Sequence, residues 1–556
     1  MKRKRISQLL GLVLTFSMVF GMVGCGDQNK ANNSEDASVQ SNADTEKEEE
    51  SEKEAEAVSE EITYPLDTTD TLTIWSKNQI KPVASYADYT ESPFHTGLAE
   101  NTGVEVEWTY PAEGAVADQA YNLLLTEDEL PDIIFTNVTS GEAEQLINDG
   151  VIYDLTEYLP VYAPDYWETI HKDEYVNVLQ SLTTDSGKFY GVENFCETEY
   201  NVTYVGPVIR QDWLDELGLE TPVTMEDWEN VLVAFKENYG ATLGFFTARL
   251  NNIGIGSGTG AYGTFSTNFY VDENGKVQLA QAQQEWKEYM AYLHKWWDMG
   301  LIDKDSITMD DAAVRTKVLN GEIGVSFTAC SQLTAWVGDA EAEGTGANWV
   351  GFDYPRTAAG EPTCMIQARY SGSQGWCAMV TTSCPEDKLI TALKWLNYGY
   401  TEEGLMYWNY GTEGVSYYLD ENGQPQWTEL VTEDPDGASN ARVKYNGTSG
   451  TGISIQLAHM VEIGFAEAAA EAVYKWIDNT EASDHCLPMI SMTDEESARY
   501  SDLMTSINTY VEETGMKFMT GDVSLDDFDA FVEELNGMGL EEALEIQQAA
   551  YDRFME

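Results

Sequence analysis

The most telling local pattern of the chain is Leu130-Pro131-Asp132-Ile133-Ile134-Phe135, which ends in a short apolar run typical of a strand buried on both faces. Alternating strand patterns precede it at Thr71-Leu72-Thr73-Ile74-Trp75 and at Val104-Glu105-Val106-Glu107-Trp108. Helical patterns over about 92–101 and 116–127 separate these three strands. The order βαβαβ predicts an α/β protein with a parallel sheet that helices cover on both faces.

The chain continues with a second α/β region after a loop-rich stretch. A strand pattern ends near Arg210, and the short helix after it ends at Gly218, which takes a left-handed conformation readily. Thr224 and Asp227 have the spacing of a capping box that opens the next helix. The remaining patterns predict helices around 282–298, 386–399, 457–477, 494–513 and 540–554, strands near 324–327 and 376–380, and hairpin turns at 272–275 and 420–423.

Size and charge restrict the class of protein. The chain has 556 residues and 43% hydrophobic content, so it can bury a large core, and two or more lobes are expected. Its formal net charge is −66, and the acidic residues are spread along the whole chain as on a solvated surface. Such a surface repels nucleic acid and anionic lipid headgroups, so a nucleic-acid-binding protein is not expected.

The N-terminal segment has the pattern of an export signal. Four basic residues, Lys2 to Arg5, precede an apolar run that ends in Gly24 and Cys25. This pattern predicts a signal peptide over 1–24 and a lipidated Cys25, which resembles the lipobox of bacterial lipoproteins. The alternative is an uncleaved membrane anchor. The acidic, aromatic-poor linker that follows, 25–62 with Cys25, is predicted to be a disordered tether that holds the folded part at the outer face of the membrane.

The chain lacks the usual sequence signals of metal or nucleotide chemistry. The six cysteines after Cys25 form no C-x-x-C pair, although one or two disulfides remain open. Neither H-E-x-x-H nor the P-loop G-x-x-x-x-G-K-[ST] occurs. No metal and no cofactor are therefore predicted, and any ATPase is a separate protein. The six cysteines are Cys196, Cys330, Cys364, Cys377, Cys384 and Cys486.

Several short motifs, in order along residues 70–556, resemble the extracellular solute-binding proteins of ABC sugar importers, specifically their large LplA-like lipoprotein branch. None of the motifs is specific alone, and the resemblance rests on their order and spacing. They are Leu130–Ile133, Gly187–Gly191, Arg210–Leu219, Thr224–Trp228, Met299–Asp303, Asn320–Gly324, Asn409–Gly414, Tyr510–Phe518 and Asp526–Leu540.

The resemblance implies a two-lobed periplasmic-binding-protein fold of type II, with a hinge between lobes that close on ligand. The expected boundaries are 63–203 with 377–430 for the N-terminal lobe, and 204–376 with 431–556 for the C-terminal lobe. The implied function is capture of an oligosaccharide for an ABC permease with a separate ATPase, by a monomer without catalytic activity. Some relatives bind calcium after the helix equivalent to 225–238, but residues 238–244 contain no carboxylate here, so calcium is not predicted there.

Sugar recognition requires aromatic faces and planar polar side chains, and the chain has 15 Trp and 31 Tyr. Ligands of α/β sheets bind beyond the carboxyl ends of strands, which favours Trp75, Asn137 and Gln332. Arg210 follows another strand, and the resemblance adds residues near the lobe crossings. The predicted ligand-binding residues are Trp75, Asn137, Arg210, Gln332, Arg369, Tyr370, Trp376, Trp408, Tyr410 and Glu413.

Each of these residues also has a structural interpretation. Trp75 and Trp376 are equally compatible with a core position, Arg210 with an ion pair beside the hinge, and Asn137 with a turn at a strand end. Glu413 is compatible with a helix or turn cap. A glycoside hydrolase needs only two carboxylates across a cleft, so this class stays open beside a binding protein for a peptide or other solute and a tethering protein.

Overall fold

The structure is a computed structural model that describes residues 62–77, 91–112, 116–184, 186–197, 205–244, 253–254, 262–263, 269–356, 373–435, 438–448, 452–477, 485, 487–488, 490 and 492–555. The predicted signal peptide, Cys25 and all but the last residue of the predicted linker lie outside this part of the chain. Within these described ranges, no helix is both long enough and apolar enough to cross a membrane.

A six-stranded sheet forms the first lobe, in the order β16-β4-β13-β3-β1-β2. Its strands are β1 Thr71–Ser76, β2 Glu105–Thr109, β3 Ile133–Thr136, β4 Val192–Cys196, β13 Ser373–Val380 and β16 Ile455–Gln456. Strand β1 pairs in parallel with β2 and β3, whereas β13 runs antiparallel to β3 and β4. The predicted βαβαβ order and parallel pairing are confirmed. We call this sheet and the core around it the N-terminal lobe.

A four-stranded sheet in the order β12-β5-β11-β6 forms the C-terminal lobe. Its strands are β5 Val205–Arg210, β6 Thr242–Gly244, β11 Ile323–Ala329 and β12 Trp349–Gly351. Every residue of β5 and β11 is buried, because helices cover both faces of this sheet. The remaining strands form two-stranded hairpins: β7 Ile253–Gly254 with β8 Tyr262–Gly263, β9 Phe269–Val271 with β10 Val277–Leu279, and β14 Tyr417–Leu419 with β15 Pro425–Trp427.

Helices connect and cover the two sheets. The α-helices are Pro93–Thr102, Ala117–Leu124, Ser140–Asn148, Leu159–Tyr162, Pro164–Ile170, Val176–Ser181, Gln211–Leu217, Met225–Tyr239, Gln284–Asp298, Asp311–Leu319, Cys330–Glu343, Glu386–Tyr398, Glu402–Tyr410, Glu429–Thr432, Ala438–Tyr445, Ala458–Glu462, Glu467–Ile477, Asp494–Thr520, Phe528–Gly537 and Leu540–Met555. Short 3-10 helices lie at Asp173–Tyr175, Ala280–Ala282, Lys304–Ile307 and Leu525–Asp527.

The local signals at the second α/β region are confirmed. Gly218 ends its helix with φ +64°, in the left-handed region. Thr224 and Asp227 form the reciprocal capping box, with the hydroxyl of Thr224 accepting from the backbone N–H of Asp227. These two signals place the long helix Met225–Tyr239 against the sheet through Trp228 and Phe235.

One predicted helix, 457–477, is broken into two in the structure. The first ends at Glu462 and the second begins at Glu467. Between them the guanidinium of Arg442 comes so close to Gly464 that a Cβ there would lie 1.7 Å from its Nη1. At this break the close approach of Arg442 leaves room only for a residue without a Cβ.

The two lobes have separate hydrophobic cores, and the chain passes between them repeatedly. Trp408 lies in the core of the N-terminal lobe, whereas Tyr410, Tyr417 and Trp427 lie in the core of the C-terminal lobe. Strand β16 then returns the chain to the N-terminal sheet. Within the core of the C-terminal lobe, Tyr410 packs on Tyr417 and Trp427 at centroid distances of 5.5 and 5.6 Å.

Buried polar networks connect distant segments of the N-terminal lobe. The carboxylate of Asp132 accepts hydrogen bonds from the backbone N–H of Thr73 and from Lys388 Nζ, at 2.7 and 2.6 Å. Burial by itself would raise the pKa of Asp132, but these bonds lower it below its ordinary value. The described cysteines Cys330, Cys377 and Cys384 are buried free thiols, Cys196 is also buried, and Cys364 and Cys486 lie outside the described residues.

Candidate functional site

A cleft of about 1270 Å³ lies between the two lobes. One wall belongs to the N-terminal lobe. It is formed by residues that follow strands β1 and β3, by residues of strand β13 and by residues at the starts of two helices. The opposite wall comes from the last helix of the C-terminal lobe and from Leu487, Pro488, Ile490, Met492, Ser497, Ala498 and Tyr500. Because β1 and β3 are parallel, their carboxyl ends open at the same edge of the sheet, where ligands of α/β proteins bind.

A cluster around Lys77 forms the polar part of the N-terminal wall. Lys77 Nζ lies 2.5 Å from Asp118 Oδ1 and donates to Asn137 Oδ1 at 2.7 Å. The same ammonium lies 5.8 Å from the centroid of the Tyr121 ring. Burial raises the pKa of Glu142, although interactions with Tyr121 and Lys77 act in the opposite direction. The wall therefore presents amide, phenol and carboxylate groups around one paired cation.

Trp376 supplies the aromatic face of this wall. Its ring stacks on Phe135 at a centroid distance of 5.7 Å and an interplanar angle of 27°. The pairing of β13 with β4 shifts register just before Trp376, and Gly375 has φ +70°. The buried carboxylate of Glu193 accepts from the N–H of Gly375 at 3.2 Å and from the hydroxyl of Ser181 at 2.9 Å. This anchored bulge fixes where the indole lies.

The C-terminal wall is more apolar. Its apolar residues are Leu487, Pro488, Ile490 and Met492. Gln547, from the last helix, donates its Nε2 to the hydroxyl of Tyr500 at 2.6 Å. The Oε1 of Gln547 is buried, and within the described residues it has no hydrogen-bond partner. Gln547 therefore contributes a neutral amide to this wall.

The structure places three sequence-predicted residues at or directly behind the N-terminal wall. Asn137 and Trp376 both line the cleft. Trp75 is only 6% exposed, and its ring packs behind the cleft-lining Tyr121 at a centroid distance of 6.1 Å. Trp75 thus supports the wall from inside the lobe.

Arg210 and Gln332 lie in the C-terminal lobe without lining the cleft. Arg210 forms a bidentate ion pair with Asp212, at 2.8 and 2.5 Å, and its guanidinium lies 4.1 Å from the centroid of the Trp213 ring. An ion pair is the structural role that the sequence analysis left open for Arg210. The side chain of Gln332 accepts from the hydroxyl of Thr328 at 2.9 Å at the start of its helix.

Trp408 and Tyr410, which were predicted to bind ligand, lie in the hydrophobic cores. They are 2% and 1% exposed and belong to the cores of the N-terminal and C-terminal lobes, respectively. Because both rings are fully packed, their burial argues against contact with a ligand. Glu413 is exposed beside the β14–β15 hairpin, apart from the residues that line the cleft. The predicted residues Arg369 and Tyr370 lie outside the described residues.

Asn409, between these two buried rings, connects two passages of the chain between the lobes. It is fully buried, and its Nδ2 donates to the carbonyl oxygens of Leu405 and Ile455 at 2.9 and 2.8 Å. Its Oδ1 accepts from the N–H of Leu457 at 3.0 Å. One amide thus satisfies backbone groups on the segment that enters the C-terminal lobe and on the segment around β16.

The site offers groups for binding and orientation. Among the described residues, no group of three or more His, Cys, Asp and Glu is arranged to hold a metal ion. Planar amides, hydroxyls and aromatic faces surround a volume large enough for several sugar-sized units. This arrangement suits an uncharged polar ligand with many hydroxyl groups.

Two α/β lobes that enclose such a cleft define the class of two-lobed binding proteins. Comparison with protein families agrees with this conclusion, because the profile of the bacterial extracellular solute-binding proteins matches residues 84–406. The chain belongs to this family. The resemblance and the fold predicted from the sequence are thereby confirmed.

Similar proteins cover from 59% to 89% of the chain. The fructooligosaccharide ABC transporter substrate-binding protein FusA of Streptococcus pneumoniae is 25% identical over an alignment of 535 residues, and the match covers 89% of this chain and 92% of that protein. The lipoprotein LipO of Bacillus subtilis is 26% identical over 59% of this chain and 64% of its own length. The crystal structure of the alginate-binding protein AlgQ2 without calcium ion has a TM-score of 0.69 at 21% identity, covering 89% of this chain and all of that one.

Proposed function

We propose that this protein captures an oligosaccharide in the interlobe cleft and delivers it to an ABC importer. The observation that carries the proposal is the cleft itself, with the indole of Trp376 facing a volume of about 1270 Å³ among amides and hydroxyls. Flat aromatic faces suit the C–H faces of sugar rings, and amides bond hydroxyls in pairs. The relatives point to the same ligand class, since FusA is named for fructooligosaccharides and AlgQ2 for alginate.

Binding without chemistry is the second element of the proposal. The family that matches this chain consists of solute-binding proteins. A hydrolase would release new reducing ends from a glycan, whereas a binding protein returns the glycan intact. Incubating the purified mature protein with each glycan that binds, and assaying reducing ends, therefore separates the two functions. New reducing ends would contradict the transport role.

Ligand is expected to close the lobes and to stabilise the fold. A glycan that contacts both walls only in the closed state shifts the population toward that state and raises the melting temperature. We expect a glycan at 100 times its Kd to add about 2.7 kcal/mol to the free energy of unfolding. Small-angle scattering should show a smaller radius of gyration at the same concentration. A bound state with an unchanged scattering profile would contradict closure.

The proposal extends to location and partners. We propose that the chain is exported by the signal peptide 1–24 and anchored by a lipid on Cys25 at the outer face of the cell membrane, as a monomer that meets permease subunits served by a separate ATPase. The family is extracellular, and one relative is named as a lipoprotein. The strong negative charge of the chain also favours attachment by lipid over attachment by a basic surface.

Replacing the anchoring residue tests this location. Cys25→Ala should remove the attachment site and move the protein from the membrane fraction to the medium, while the affinity for glycan stays unchanged. Labelled fatty acid should enter the wild-type chain and not the variant. A Cys25→Ala protein that stays in the membrane fraction would support the uncleaved anchor in place of the lipid.

A further inference from the structure

We infer that the cleft selects uncharged glycans and rejects glycans that carry carboxylates, an inference that rests on the function proposed above. It depends on the way in which the protein neutralises Lys77. Among the described residues that line the cleft, Lys77 is the single cation. A uronic acid would need this ammonium, or another cation, as the partner for its carboxylate.

The ammonium of Lys77 already has its partners within the protein. It has three N–H donors, and the structure places Asp118 Oδ1 at 2.5 Å and Asn137 Oδ1 at 2.7 Å from Nζ. The side chain of Lys77 is 11% exposed, and the Tyr121 ring lies beneath it at 5.8 Å. A ligand carboxylate could approach only by displacing Asp118 or by adding a second negative charge beside it.

Glu142 strengthens this exclusion of anions. It lines the same wall, half-buried beside Tyr121, and it interacts electrostatically with Lys77. When Asp118 is ionised, the three side chains of Lys77, Asp118 and Glu142 have no net charge if Glu142 is protonated. They have a net negative charge if Glu142 is ionised as well. A like charge placed next to such a cluster is disfavoured, because the cleft is partly shielded from water. The formal net charge of −66 on the whole chain adds to the repulsion of polyanions.

The described residues of the opposite wall offer a carboxylate no cationic partner. They are apolar, or neutral and polar, as in Leu487, Ile490, Tyr500 and Gln547. Gln547 and Tyr500 are neutral, so neither side chain supplies a positive charge to pair with a carboxylate. Both walls therefore present groups that match hydroxyls and apolar ring faces.

The direct test compares two ligands that differ at their primary alcohol positions, which carry –CH₂OH in one ligand and –COO⁻ in the other. A thermal-shift screen of fructo-, malto- and galacto-oligosaccharides and of oligogalacturonates identifies the binders. The best neutral binder is then oxidised at primary hydroxyls to its uronate form, and both forms are titrated by calorimetry. We expect the uronate form to bind at least about tenfold more weakly. Equal or tighter binding of the uronate form would overturn the inference.

The outcomes also distinguish this inference from the function on which it rests. If oligogalacturonates bind and neutral glycans do not, oligosaccharide capture stands and the preference for uncharged ligands falls. If no glycan of either class binds, the proposed function fails and the inference fails with it. Binding confined to neutral glycans supports both.

A variant tests whether the pairing of Lys77 is the cause. Asp118 is 75% exposed, so Asp118→Asn should fold normally while it leaves the ammonium with less negative charge beside it. We expect the ratio of the Kd of the uronate form to the Kd of the neutral form to be at least about fivefold lower in Asp118→Asn than in wild type. Glu533→Gln, an equal change of charge at an exposed position of the helix Phe528–Gly537, should leave the ratio unchanged. The same ratio in wild type and Asp118→Asn would overturn the role assigned to the ion pair.

Discussion

Replacing Trp376 with Ala is expected to weaken glycan binding by about 2 kcal/mol, which is roughly a 30-fold increase in Kd. The indole is the large aromatic face of the N-terminal wall, stacked on Phe135 and oriented by a bulge that Glu193 anchors. Its truncation removes the flat surface on which a sugar ring packs, and it leaves a space that water fills. Calorimetric titration with the best binder of the glycan screen measures the effect.

Two controls separate the loss of a ligand contact from a loss of folding. Trp376→Phe keeps an aromatic face and should retain more of the affinity than Trp376→Ala. Trp167→Ala removes a partly buried tryptophan of the same lobe that packs on Phe189 and lies outside the cleft lining. That variant should lose stability while Kd stays within about twofold of wild type. A Trp376→Ala protein with lowered stability and unchanged Kd would assign its ring to packing.

Replacing Asn409 with Leu is expected to lower the free energy of unfolding by about 2–5 kcal/mol. Leucine has nearly the same volume but leaves the buried carbonyl of Ile455 and the partly buried N–H of Leu457 without their partner. Each buried backbone group deprived of its hydrogen bond costs about 1–3 kcal/mol. Urea unfolding, followed by tryptophan fluorescence, measures the change.

The matched control for this prediction is Asn238→Leu. Asn238 is exposed in the last turn of its helix and donates one bond to the carbonyl of Ala234. Its replacement should change stability by no more than about 0.5 kcal/mol. If both variants lost the same small amount, the connection between the two passages of the chain would contribute little to the fold.

The fold was predictable because its strands and caps are local patterns. Leu130 to Phe135, the alternation at 71–75 and the capping box of Thr224 each depend on residues close in sequence. The rule that ligands bind beyond strand ends led to Asn137. It missed Lys77 by one residue, because β1 extends to Ser76 and the lysine is the first residue after it.

The rest of the site depends on long-range packing. Tyr121 and Glu142 come from helix faces that become a wall only when the sheet is assembled. Lys77 and Gln547 line the same cleft although they lie far apart in the sequence. No short-range sequence pattern predicts that these two residues come together. Trp408 and Tyr410 were expected in the site because they lie near a lobe crossing, but the same position places each ring in the core of a different lobe.

The late position of β16 has a consequence for the order of folding. This strand, Ile455–Gln456, is an edge strand of the six-stranded sheet whose first strand begins at Thr71. A growing chain therefore exposes an unfinished sheet edge until most of its length has been made, and such contacts between sequence-distant segments form slowly. Chaperone contact during this interval would protect the open edge beside β4 from aggregation.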